Sequence, residues 1–178
     1  MRGFYSIPLT GLKEGSHSFD FKIGSDFFNS YEESLIQEAT LQADIDLVRR
    51  SAHMEMLIKL NGTVELICDR CLELYTQEMH TEDRILIKFG EQWEEVDDEV
   101  IMVPFGENDF QLDHLFYEFA HLGLPLKKVH PDDENGDSTC DPDMLERLDQ
   151  HIINEDEKID PRWKELEKLK NNNNKKNR

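Results

Sequence analysis

No stretch of this chain approaches the roughly 18 consecutive apolar residues of a membrane-spanning helix, so no membrane span is expected. The opening residues, Met1-Arg2-Gly3-Phe4-Tyr5-Ser6, lead into no apolar stretch ending in small residues, so no secretory signal is expected either. Cysteine is scarce. Three thiols cannot all pair with one another, and without an export signal they read as reduced thiols or metal ligands rather than a disulfide framework. Together these absences point to a soluble, cytoplasmic protein. Glycine is scarce too. Nine glycines form neither Gly-x-Gly-x-x-Gly nor a Walker-type phosphate cradle, and no Gly-x-Ser-x-Gly elbow occurs. No internal repeat is visible.

Positive charge is also in short supply. The chain holds 20 Lys and Arg against 39 Asp and Glu, for a net charge of −19. Residues 158–178 contain eight basic and three acidic residues, net +5, so the remaining 157 residues carry −24. Such a body is repelled by bare nucleic acid and suits a basic protein partner, although acidity also serves plain solubility. The acidic run 91–99, interrupted by Trp93 and Val96, reads first as a solvated loop and second as a docking site for a basic partner. No spacing within it singles out a catalytic carboxylate pair.

What is present is a clear change of period. Residues 4–9 and 18–23 read as strands separated by the turn-rich link 11–15. Ser25-Asp26 could cap a short helix reaching about Ile36. Leu41, Ala43, Ile45 and Leu47 alternate with polar residues, as in a half-buried strand. After Arg49-Arg50-Ser51 the same period resumes through Ala52, Met54, Met56, Ile58 and Leu60. Asn61-Gly62 is a hairpin signal. A three-residue loop there would set Leu60, Ile58 and Met56 opposite Val64, Leu66 and Cys68. Residues 84–89 read as a further strand. Leu112, Leu115, Phe116, Phe119 and Leu122 then fall at helical spacing, with Asn108 or Asp109 as cap and Gly123 and Pro125 as stop. Residues 127–139 are a polar loop. Asp141-Pro142 and Asp160-Pro161 each resemble an N-cap followed by proline at the first helical position.

The expected architecture is α+β. A single domain over 1–157 holds an antiparallel β-sheet of about six strands, open or barrel-like, packed against one main helix at 109–122 and followed by C-terminal helices. A separate C-terminal helix is expected over 158–170 and a disordered Asn/Lys tail over 171–178.

Chemistry concentrates at Cys68-Asp69-Arg70-Cys71, at the end of a strand. Two thiolates at this spacing can grip one metal ion from a tight knuckle, and closed structural zinc wants four ligands. His130 and Cys140, at opposite ends of the polar loop, are the candidates that complete a three-sulfur, one-imidazole shell. Two other readings stand beside zinc. The cysteines can be small buried hydrophobes beside a turn. Alternatively, Cys68 and Cys71 can form a thiol-redox pair, although that motif normally opens a helix. His114 and His121, two turns apart, read as the flank of an amphipathic helix.

The order of these features resembles the YceD family, the large ribosomal RNA subunit accumulation proteins. Cys68-Asp69-Arg70-Cys71-Leu72-Glu73 looks like the family's Cys-x-Arg-Cys-Leu segment. Gln111-Leu112-Asp113-His114-Leu115 through Leu122-Gly123-Leu124-Pro125-Leu126 looks like its Asp-Leu helix ending in Leu-x-Leu-Pro. Val129-His130-Pro131 and Cys140 are similar to the His and Cys of the following loop. Asp160-Pro161-Arg162-Trp163-Lys164-Glu165-Leu166 looks like the closing Asp-Pro-Arg-Trp-x-x-Leu. The resemblance implies a bacterial, non-catalytic factor for large-subunit assembly, with Cys68, Cys71, His130 and Cys140 as its functional set and Arg70 beside them. It implies a ribosomal protein or the pre-ribosomal large subunit as partner. The Asn/Lys-rich tail looks peculiar to this chain, and its charge over 164–178 suits a contact with rRNA phosphates. This chain has only Cys140 where some members carry a second cysteine cluster. The rival functions are an acidic interaction adaptor unrelated to ribosomes and a thiol-redox enzyme using Cys68 and Cys71.

Overall fold

A computed structural model describes residues 3–151 of the chain. β1 (Ser6–Pro8) buries Ile7, and β2 (Gly15–Gly24) follows the glycine-flanked link. α1 (Ser25–Asn29) buries Phe27 and Phe28. It stops well short of Ile36, because both the N–H and the hydroxyl of Ser30 turn back to the Phe27 carbonyl. Gly24, not Ser25, holds the N-cap. The Ser25 hydroxyl instead donates to the Glu38 carboxylate and accepts the Ala39 N–H, tying α1 to the next strand. That strand is β3 (Glu38–Arg49), followed by β4 (His53–Ile67), β5 (Leu74–Gly90), β6 (Glu94–Asp97), β7 (Val100–Pro104) and β8 (Asp109–Gln111). Two ten-residue helices complete the set, α2 (Asp113–Leu122) and α3 (Pro142–His151).

The main sheet runs β2-β3-β4-β5-β7-β6, and β1 pairs with β8 in a separate ribbon. The sheet is mixed rather than antiparallel throughout. After β5 the chain leaves one position empty, lays β6 along the outside and returns as β7 into the gap. These two reversals make β7 parallel to β5 and antiparallel to β6. The sheet is open, with β2 and β6 as its edges, so it is not a barrel.

Asn61-Gly62 makes no hairpin. β4 runs straight through it, with Gly62 between Leu41 of β3 and Met79 of β5. The β3–β4 turn lies at Arg50–His53, where the Arg50 N–H bonds the His53 carbonyl. Glycine is required at 62 for another reason: φ is +147°, and a Cβ there would collide with the Thr40 carbonyl oxygen. Leu60, Val64 and Leu66 stay in phase on the buried face, so Leu60 and Val64 are neighbours along one strand, not across a turn.

The core lies on that face. Ala43, Ile45 and Leu47 of β3 and Met54, Met56, Ile58 and Leu60 of β4 are buried, as are Phe27 and Phe28 of α1, Phe116 of α2, and Ile7 and Phe110 from the ribbon. Burying each large side chain contributes about 1.5–3 kcal/mol. α2 begins at Asp113, later than expected, because residues 109–111 are spent pairing with β1. The Asp113 carboxylate accepts the N–H groups of Phe4 and Tyr5, both at 2.8 Å, so it fastens the segment leading into β1 to the helix start. Leu122 is exposed rather than in the core. α2 is not a single dominant helix, since α3 matches it in length, although α3 buries none of its side chains.

The chain divides into two compact units, 1–140 and 141–178. The helix expected over 158–170 and the tail over 171–178 lie outside the described residues. No described helix is long and apolar enough to cross a membrane.

Candidate metal centre

β4 ends one residue before Cys68. The chain then folds into a knuckle closed by two backbone hydrogen bonds: the Cys68 N–H donates to the Glu73 carbonyl (2.8 Å) and the Leu72 N–H to the Cys68 carbonyl (3.0 Å). The Arg70 N–H points at the Cys68 sulfur, 3.4 Å away. Leu72 takes φ +63°, the one left-handed non-glycine residue among the described residues. This reverses the chain into β5.

The polar loop is clipped to this knuckle. The Asp69 N–H donates to the Lys128 carbonyl (2.6 Å) and the Lys128 N–H to the Asp69 carboxylate (2.8 Å). The Lys128 ammonium lies 3.3 Å from the same carboxylate. The backbone N–H of Lys128, helped by its ammonium, holds the Asp69 carboxyl below its usual range. Two residues on, His130 faces Cys71. The loop closes on itself: Asp133 accepts the N–H groups of Asn135 and Asp137, Asp132 and Ser138 form a β-bridge, and the Thr139 hydroxyl bonds the Pro131 carbonyl. That closure carries Cys140 back beside His130.

All four expected ligands therefore meet. The donor atoms of Cys68, Cys71, His130 and Cys140 lie within 4.8 Å of one another. Cys68 Sγ is 3.7 Å from Cys140 Sγ, and His130 Nδ1 is 3.4 Å from Cys71 Sγ and 3.7 Å from Cys140 Sγ. Tetrahedral zinc bonds of about 2.3 Å to sulfur and about 2.0 Å to nitrogen demand edges of about 3.8 Å between sulfurs and about 3.5 Å from sulfur to nitrogen. The cluster is already close to that size. The three cysteines are free thiols, 0%, 3% and 5% exposed.

The electrostatics favour a bound cation. Burial works to raise the Cys68 pKa, but the N–H donors of Cys71, Arg70 and His130, with the His130 ring, outweigh it and bring the thiol down to about 6. Burial, together with the sulfurs of Cys68 and Cys71, pushes the Cys140 thiol up. A divalent ion relieves this crowding of donors by replacing the protons. The Tyr75 ring packs against His130, with centroids 5.3 Å apart, and covers the site from β5.

Sequence reasoning missed the supporting residues Asp69, Lys128 and Tyr75. Asp69 lies between the two cysteines, and only the fold reveals that its carboxylate faces residue 128. His114 and His121 belong to no such cluster. The His121 ring joins the Tyr117 carbonyl and the Leu35 N–H, while His114 sits beside Glu95 and Glu118.

Comparison with curated proteins and with solved structures gives no match. The family profile described as large ribosomal RNA subunit accumulation protein YceD matches residues 56–170, a span that contains all four clustered ligands, and the chain belongs to the YceD family.

Proposed function

We propose that the protein is a non-catalytic, cytoplasmic factor that supports large ribosomal subunit assembly and accumulation of large-subunit rRNA, and that Cys68, Cys71, His130 and Cys140 hold a structural zinc ion in it. Family membership supplies the process. The observation that carries the mode of action is the closed shell of three sulfurs and one imidazole inside the matched span. Three buried sulfurs and one half-buried imidazole, all committed to a single ion, stiffen a surface and leave no place for a substrate. A thiol-redox role is disfavoured by the same geometry. Its attacking sulfur would need to be exposed, and the Cys-x-x-Cys segment follows a strand rather than opening a helix.

Zinc here joins the end of β4 to both ends of the loop that follows α2. The acidic body then offers a rigid surface to a basic ribosomal protein on the pre-ribosomal large subunit, and the basic segment 164–178 touches rRNA phosphates. Depletion of the protein tests the function: large-subunit rRNA falls and the subunit profile shifts, whereas an unchanged profile sinks the proposal. Co-sedimentation with pre-ribosomal particles separates it from an adaptor that works elsewhere. For the metal, elemental analysis is expected to return one zinc per chain.

A further inference from the structure

The acidic run 91–99 is not only a solvated loop. Trp93, just before β6, stacks on Phe110 with ring centroids 5.7 Å apart and planes 27° apart. Glu95 of β6 pairs with Ile101 of β7. Between this hairpin and the first turns of α2 lies a cleft of about 530 Å³. Phe110, Ile101 and Leu115 form its apolar floor, Trp93 a wall, and Glu94 and Glu95 lie at the rim. The floor residues are buried, whereas Trp93 is 46% exposed. The indole stacks on this apolar floor by one side only and leaves apolar surface uncovered among the described residues, and such surfaces mark binding sites.

The surrounding charge selects the ligand. The run 91–99 has six acidic residues and no basic one. The one titratable group facing the cleft from α2 is His114, 3.8 Å from Glu95 and 3.9 Å from Glu118. Glu94 makes no ion pair among the described residues. These carboxylate acceptors beside an aromatic face fit an arginine or lysine side chain. Its alkyl stem lies along Phe110 and Leu115, its cationic head sits within about 6 Å of the Trp93 ring, and its N–H groups reach the carboxylates. A phosphate backbone or an anionic membrane would meet only repulsion.

We propose that the Trp93 cleft is a docking site for a basic segment of a protein partner, and that one arginine or lysine of that segment seats against the indole. The proposal rests on the assembly-factor reading and names the surface through which such a partner is held. The test uses the full chain and a short labelled peptide of alternating arginine and leucine, with a glutamate-for-arginine version as control, followed by fluorescence anisotropy. The basic peptide binds and the acidic one does not. Binding weakens by about tenfold in Trp93→Ala and also in the Glu94→Gln/Glu95→Gln pair. The second variant keeps the volume and stack of the site, so its effect stands even if Trp93→Ala unfolds the hairpin. Equal binding by wild type and the paired variant overturns the cleft proposal without touching the assembly-factor reading, which fails separately if depletion leaves the subunit profile unchanged. A solution dimer that Trp93→Ala splits would assign the cleft to a second copy of the chain, and would also overturn the proposal.

Discussion

At the scale of single residues, the knuckle depends on side chains outside the four-donor cluster. Asp69 accepts the Lys128 N–H and pairs with its ammonium, so it fixes the approach of His130, two residues further on. Groups that orient ligands in this way typically contribute 10–100-fold to metal affinity. Asp69→Ala is therefore expected to weaken zinc binding by about tenfold in a chelator competition, while Asp69→Asn, which keeps an acceptor, loses less. Asp83 behaves in the opposite sense. Burial raises its pKa, and one carboxylate oxygen has no hydrogen-bond partner among the described residues. The unfolded chain ionises this group freely. Folding thus carries a cost that is full above the raised folded value and shrinks to nothing as pH falls from there to the ordinary carboxylate pKa. Asp83→Asn is expected to raise Tm at neutral pH, with the gain closing on acidification. A gain that stays constant in acid would mean that packing, not charge, is responsible.

At the scale of elements, legibility followed the strength of the period. β3 was readable because Leu41, Ala43, Ile45 and Leu47 alternate cleanly and all are buried. Only the far end of β5 was readable, since Gln77, Thr81 and Asp83 occupy inward positions and mask the alternation. β6 was hidden because every residue in it is exposed and three of its four are acidic. Asn61-Gly62 misled because the dipeptide signals positive φ, which a turn needs but which a close approach between long strands also needs. The site was legible through Cys68 and Cys71, whose spacing carries chemistry. His130 and Cys140 were the remaining donor types within reach, and nothing local could place them beside a strand end some sixty residues earlier. Gly62 gives the sharpest test of the corrected register. Gly62→Val puts a branched side chain at φ +147°, against the Thr40 carbonyl. The expected loss is more than about 2 kcal/mol in a denaturant titration. An Asn-Gly hairpin turn would place residue 62 in solvent, away from Thr40, and the loss would then be confined to backbone strain.

At the scale of the whole molecule, two kinds of interaction act on different parts. The sheet is held by apolar burial across β2–β5, α1 and α2, with no polar or charged residue in the buried set among the described residues. The loop 128–140 has little apolar cover of its own and is held by the Asp69–Lys128 clip and the four-ligand cluster. Emptying the proposed zinc site should therefore melt a part, not the whole. Cys140→Ser, or chelation of the wild type, is expected to leave the far-UV spectrum of the sheet nearly intact while hydrogen exchange speeds up in residues 128–140 and in the knuckle. Thermal stability is expected to fall by whatever binding energy the ion contributes to the folded state. Charge then decides what this stiffened surface can meet. A body at −24 with a basic segment at +5 would attract the proposed basic partner through screened interactions, which salt weakens. Co-sedimentation with large-subunit particles is accordingly expected to fall as salt rises from about 0.05 M to about 0.2 M. The Glu94→Gln/Glu95→Gln variant, lacking two of the contributing charges, should show a shallower dependence on salt at the same temperature. If both proteins lose the particle along the same curve, the acidic hairpin contributes nothing to the attraction, and the charge that matters lies elsewhere on the chain.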